Sequence, residues 1–347
     1  MEKVANRPAP VKKSQPNALL AMVLSALPLL NSLNMPVLAA VEFQNQSPLG
    51  RQLKIPVHAW QDTSVVNKGV IVAVPALIFN GRAYDGIARH LTGQGYTVYS
   101  ADIRGYGDWL TNSADFGEDR AIHYGMSKDD LTHVLQALRK AYPGKKIFCL
   151  GESLGANMAL WEASTEPTLM DGVISVGMTN KNRRLMPRAH WAVTIAKGLE
   201  HPKRPIDLKP YMKPVLTEKR SVTEAMVNDA ETTTAISPTD LIKANITNKN
   251  SIKEVEKIPQ SMPILMIAGA KDRVQDTKSL HKLMQRIGSN QKQFTILQGK
   301  GHLLLEHREV DPAIAEIIDT WLARQEARPQ ATAAVETGRG EIAEIAP

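Results

Sequence analysis

The chain has 347 residues, enough to bury a large core as one catalytic domain carrying an insertion. Its formal net charge is +7, yet aromatic residues make up only 5% of it and no nucleic-acid-binding motif is present, which excludes a nucleic-acid partner. The single cysteine, Cys149, excludes an intrachain disulfide, and no H-E-x-x-H or paired C-x-x-C spacing points to a metal or other cofactor.

Residues 1–40 read as a leader. Lys3, Arg7, Lys12 and Lys13, against Glu2, precede an apolar run from Ala18 to Leu30, and small residues follow at Ala39 and Ala40. A basic n-region, an apolar h-region and a small-residue cleavage site make a secretory signal peptide. The run is shorter than a transmembrane span. The expected mature chain starts near Val41 and works in the periplasm or outside the cell; an uncleaved membrane anchor is the alternative.

From there strands and helices alternate. Gly69 to Val74 reads as a buried strand, Pro75 to Gly81 as a loop, Tyr84 to Leu91 as a helix, and Gly95 to Asp102 as the next strand. Ser127-Lys128-Asp129-Asp130 resembles a capping box opening a helix whose apolar stripe is Leu131, Val134, Leu135 and Leu138. Such alternation predicts a mostly parallel sheet covered on both faces.

The next stretch, Ile147-Phe148-Cys149-Leu150 followed by Gly151-Glu152-Ser153-Leu154-Gly155, carries the most information. An apolar strand, a G-x-S-x-G turn and a small-residue helix are the context of a nucleophile elbow. The turn is expected to push the Ser153 hydroxyl into the open and to offer the backbone N–H of Leu154 to an oxyanion. Strands at Gly172 to Gly177, Met262 to Gly269 and Gln293 to Leu297 follow. Asp272 lies on the loop after the second of these and His302 on the loop after the third. In that order His302 is the candidate general base and Asp272 the residue that orients it. Asp276, Asp311, His281 and His307 are the rivals. Cys149, inside the strand, reads as a packing residue.

These motifs together resemble the serine-hydrolase branch of the α/β-hydrolase fold, and most of all the monoacylglycerol lipase and lysophospholipase group. The matching features are the Tyr84-to-Leu91 helix, the D-x-R-G-Y-G turn at Asp102 to Gly107, the GESLGA elbow, the AGAKD acid loop and the GKGH histidine loop. The resemblance implies a helical cap inserted before the acid-bearing strand, and a second oxyanion N–H at Leu77. Where that family has His-Gly, this chain has Pro75-Ala76. Proline fixes φ and has no N–H, so the loop is expected to run differently.

The expected organisation is a leader at 1–40, hydrolase core at 41–178, cap at 179–259, the rest of the core at 260–326 and a flexible tail at 327–347. Residues 181–220 carry eleven Lys and Arg against three acids. That excess suits either peripheral contact with an anionic membrane or a solvated cationic face. The expected activity is serine hydrolysis of a small-molecule or lipid ester, with acylglycerols and lysolipids as leading substrates. The alternatives are a short-chain esterase, thioesterase, serine peptidase or acyltransferase of this fold, or a binding protein without catalysis.

Overall fold

The computed structural model describes residues 41–117, 119–181, 200–213, 215–305 and 308–328. The expected leader, the first half of the basic stretch, His307 and nearly all of the tail lie outside them. The chain opens with β1 (Glu42–Gln44), α1 (Pro48–Leu53) and β2 (Val57–Gln61), an antiparallel start to the sheet. Next come β3 (Gly69–Val74), α2 (Asp85–Gly93), β4 (Tyr96–Ala101) and the short α3 (Asp108–Thr111). Then follow α4 (Tyr124–Ala141), β5 (Lys146–Glu152), α5 (Leu154–Thr165) and β6 (Gly172–Val176).

The segment between β6 and the next sheet strand holds β7 (Ile206–Asp207), α6 (Lys209–Met212), α7 (Arg220–Asn228), β8 (Ala235–Ile236) and α8 (Pro238–Glu254). The two short strands pair only with each other, and α8 packs along α5. The core resumes with β9 (Ile264–Gly269), α9 (Thr277–Arg286), β10 (Lys292–Leu297) and α10 (Pro312–Glu326).

The eight-stranded sheet runs β1-β2-β4-β3-β5-β6-β9-β10 and is parallel from β4 to β10. Continuous apolar runs such as Gly69–Val74 suit strands covered on both faces. Alternation along them feeds two cores. Val70, Val72 and Cys149 point to one with Leu131, Val134 and Ala156. Ile71, Ala73, Phe148 and Leu150 point to the other with Ile87, Leu91, Ile318 and Trp321. From β3 the strand order goes one way to β4 and the other to β5, so a crevice opens at the carboxyl ends of β3 and β5. Val74 and Gly151 are register partners there.

Helix α4 begins three residues ahead of the expected capping box. Ser127 lies inside it, donates to the His123 carbonyl at 2.8 Å and accepts from the Arg104 N–H at 2.9 Å. Asp130 meanwhile takes the Arg104 guanidinium in two bonds of 2.6 and 2.8 Å. Both side chains are therefore used to hold the turn after β4, a tertiary demand that outweighs local capping.

A buried ion pair ties β2 to that same turn. The Nδ1–H of His58 donates to the Asn45 carbonyl at 2.5 Å and its Nε2–H to Asp102 at 3.2 Å. Both partners only accept, so the ring is an imidazolium. Burial alone would lower the His58 pKa, but the Asp102 carboxylate outweighs it and the net shift is upward. Burial would likewise raise Asp102, but His58 and the N–H groups of Gly81 and Asp108 hold it low. Asp108 lies close to both, yet Nε2 and both Asp102 oxygens are already engaged in these bonds.

His58→Ala leaves the Asp102 carboxylate buried without its cation and should cost about 3–5 kcal/mol of stability in urea denaturation. A raised folded pKa stabilises fully below the unfolded value, about 6.5, and that contribution is lost as pH rises through the folded pKa. Wild-type stability should accordingly fall as pH rises from about 6.5 through the folded pKa, and the variant's should fall less.

Candidate active site

Ser153 sits between β5 and α5 with φ 53° and ψ −113°, a left-handed conformation that costs a non-glycine residue about 1–3 kcal/mol. Its N–H donates to the Val176 carbonyl and its carbonyl accepts from the Asn157 N–H. A β-carbon on Gly155 would lie 1.9 Å from the Val74 carbonyl oxygen and 2.7 Å from that of Pro75. Only glycine lets α5 start this close to the loop after β3. The hydroxyl is less open than the sequence suggested: Ser153 exposes 8% of its surface.

Asp272 follows β9 and His302 follows β10, each buried. The Nδ1–H of His302 donates to Asp272 Oδ2 at 2.7 Å, and its Nε2 lies 2.9 Å from Ser153 Oγ. Asp272 Oδ1 accepts from the N–H groups of Val274 and Gln275 at 2.7 and 2.8 Å. A carboxylate fixed at both oxygens holds the ring in the tautomer whose bare Nε2 can take a proton from the serine.

The rivals are engaged elsewhere. Asp276 and Asp311 are the N-caps of α9 and α10, and Asp311 also pairs with Lys300. His281 packs edge-on against Phe294 with ring centroids 5.0 Å apart. Cys149 is fully buried, and that burial pushes its thiol pKa far up.

Leu77 and Leu154, the expected oxyanion donors, lie on the two loops that meet at Gly155. Leu154 is the first residue of α5. Leu77 lies in a tight turn in which the Phe79 N–H donates to the Ala76 carbonyl at 3.2 Å. In this turn Ile78 has φ 75°, a strained value for a β-branched residue.

Sequence reading missed Glu152. Its fully buried carboxylate accepts from the N–H of Leu305 at 3.0 Å and also from that of Leu304. It thus anchors the chain just past His302. The only signal was an acid inside an otherwise apolar strand. Asn157 was missed as well: its side chain bonds Thr179 three ways and takes part in a 2.9 Å bond with Ser251 of α8.

This architecture defines an α/β-hydrolase with a serine on its nucleophile turn. The family model described as serine aminopeptidase, S33 (Hydrolase_4) matches residues 66–309, and the chain belongs to that family, a serine hydrolase by class. Human monoglyceride lipase is 26% identical over 277 residues, covering 77% of this chain and 86% of the human one. A monoglyceride lipase homolog of Monkeypox virus is 25% identical over 270 residues, covering 76% and 92%. Among solved structures, a soluble variant of Saccharomyces cerevisiae monoglyceride lipase bound to a substrate analog superposes with TM-score 0.66 at 16% identity, covering 83% of this chain and 96% of that one. A thermostable carboxyl esterase from Bacillus coagulans gives TM-score 0.64 at 20% identity, covering 83% and 100%. At such identities the structures attest the shared fold.

The competing acids can be separated by kinetics. Asp272→Asn should lower kcat by about 10³–10⁴-fold through loss of the correct tautomer. Asp276→Asn should leave kcat within about twofold, since asparagine caps a helix about as well as aspartate. The reverse order in steady-state assays would reassign the acid.

Proposed function

We propose that this protein hydrolyses carboxylic esters through an acyl-enzyme, with Ser153 as nucleophile, His302 as general base and Asp272 as its orienting acid. The observation that carries the reading is the continuous chain from Asp272 through His302 to Ser153 Oγ. As Ser153 Oγ attacks the ester carbonyl, its proton passes to His302 Nε2. The oxyanion that forms is met by the N–H groups of Leu77 and Leu154. Collapse expels the alcohol, which takes the proton back from His302. Water then repeats the sequence on the acyl-serine and frees the acid.

The substrate class follows from the named relatives, whose monoglyceride lipases favour an acylglycerol. A lysolipid is favoured by a second observation. A cavity of about 840 Å³ beside the histidine loop is lined by Lys213, Arg220, Lys271 and Arg273 against Glu218 and Glu224, a net positive lining that suits a phosphate-bearing headgroup. The same charges, with Lys203, Arg204 and Lys209, support peripheral docking on an anionic bilayer. Among the described residues no helix is long and apolar enough to cross a membrane.

Hydrolysis of monoacylglycerols, lysophospholipids and short-acyl esters should be lost by about 10⁴-fold or more in Ser153→Ala. Long-acyl substrates should be preferred. Turnover of aminoacyl amides with esters untouched would overturn the reading in favour of a peptidase. Export belongs to the same proposal: N-terminal sequencing of the mature protein should begin near Val41, whereas an intact Met1 on membranes would mean an anchor.

A further inference from the structure

The segment between β6 and β9 grips the two loops that build the site. At the histidine loop, the Leu216 carbonyl accepts from the N–H of His302 at 3.0 Å and of Leu303 at 2.8 Å. Glu218 accepts from the Gly301 N–H at 3.0 Å and pairs with Lys300 at 3.2 Å. At the loop after β3, the Thr233 N–H donates to the Ile78 carbonyl at 3.0 Å. Glu231 pairs with Arg82 at 2.6 Å and accepts from Asn80 Nδ2 at 3.3 Å.

The second grip matters more, because it falls on the strained residue. From the core side the loop is held near its ends, where the Tyr84 hydroxyl donates to the Val74 carbonyl at 2.7 Å and the Gly81 N–H to Asp102 at 2.6 Å, and in its middle by the buried side chains of Ala76, Ile78 and Phe79. Between those anchors, Ile78 holds φ 75° with its carbonyl on Thr233. The Leu77 N–H belongs to the peptide joining Ala76 to Leu77, two peptide units before the one whose carbonyl is bonded to the inserted segment. We propose that Glu231 is a positioning residue: through Arg82 and Asn80 it seats residues 231–233 on the loop, and this seat sets the Leu77 N–H toward the oxyanion. The inserted segment is then part of the catalytic apparatus. This inference rests on the serine-hydrolase reading given above, with Leu77 as an oxyanion donor.

Removing an oxyanion donor costs about 10²–10³ in kcat, so misplacing one should cost about tenfold or more. The test compares wild type, Glu231→Gln, Arg82→Gln and the double variant on a short-acyl ester, with thermal unfolding as a check on folding. Each single variant should lose about tenfold or more in kcat with KM within about twofold. The double variant should be no slower than the worse single one, as one shared interaction requires. Lys257→Gln, which cuts the exposed Lys257–Glu254 pair of the same segment, should leave kcat unchanged. The rate of Ser153 phosphonylation by a fluorophosphonate reads the same donors without an ester substrate, and it should fall in parallel. A folded Glu231→Gln or Arg82→Gln with wild-type kcat and labelling rate overturns the proposal, as does a rise in KM alone or losses that multiply in the double variant. A wild type that labels at Ser153 yet cleaves no ester would instead sink the substrate reading. The labelling rates would then decide this one.

Discussion

Everything at the site depends on how closely one helix start approaches one strand end. Gly155 brings α5 so near the Val74 carbonyl that a β-carbon would overlap it at 1.9 Å. Because Val74 and Gly151 are register partners on adjacent parallel strands, this contact fixes the elbow and the loop after β3 as one unit. Ser153 then has no relaxed backbone to adopt, and its left-handed φ follows from the packing. Neither strain nor packing is separable from the site here, since the same approach brings the start of α5 against the carbonyls of Val74 and Pro75.

The acid and the base are joined to that unit in a similar way. Gly269 ends β9 where a β-carbon would overlap the Gly301 carbonyl at 2.0 Å, so the acid loop and the histidine loop lie backbone to backbone. Glu152, one residue before the nucleophile, then reaches across to the N–H groups after His302. A fully buried carboxylate needs compensating bonds, and backbone donors supply them. The position of His302 relative to Ser153 is thereby set by main-chain contacts on both sides and by a side chain from the nucleophile's own strand.

The fold was readable because its signals are local. Apolar runs of five or six residues such as Gly69–Val74 and Ile264–Gly269 are buried parallel strands, and the elbow and acid loop each follow one of this kind, whereas the histidine loop follows β10, a half-buried edge strand. Local position already separated Asp272, on a loop after a strand, from Asp276, four residues on where a helix is expected to begin; the structure puts the first on an imidazole and makes the second a helix N-cap. Ser127 shows the opposite case, a good local cap claimed by a distant backbone N–H. Glu152, Asn157, Glu218 and Glu231 were invisible for a similar reason. Each acts on a backbone or side chain far away in sequence, and a lone acid or amide carries no mark of its partner.

Pro75-Ala76 is the one departure from the resembled pattern whose physical consequence can be followed. The residue after Leu77 is left-handed, and it is an isoleucine. Strain of about 1–3 kcal/mol would argue against it on an exposed loop. Here the Ile78 side chain is fully buried in the core with Val74, Ala76 and Phe79, and burying an isoleucine contributes about 1.5–3 kcal/mol. The two are of the same size, so packing offsets the strain and leaves little net preference for this turn over a relaxed one. A loop balanced in that way needs something further to hold it. The Thr233 N–H on the Ile78 carbonyl, and Glu231 on Arg82 and Asn80, are bonds that reach it from the inserted segment. The unusual loop sequence and the grip of the inserted segment are thus two parts of one solution: a strained turn whose shape is kept by what lies over it.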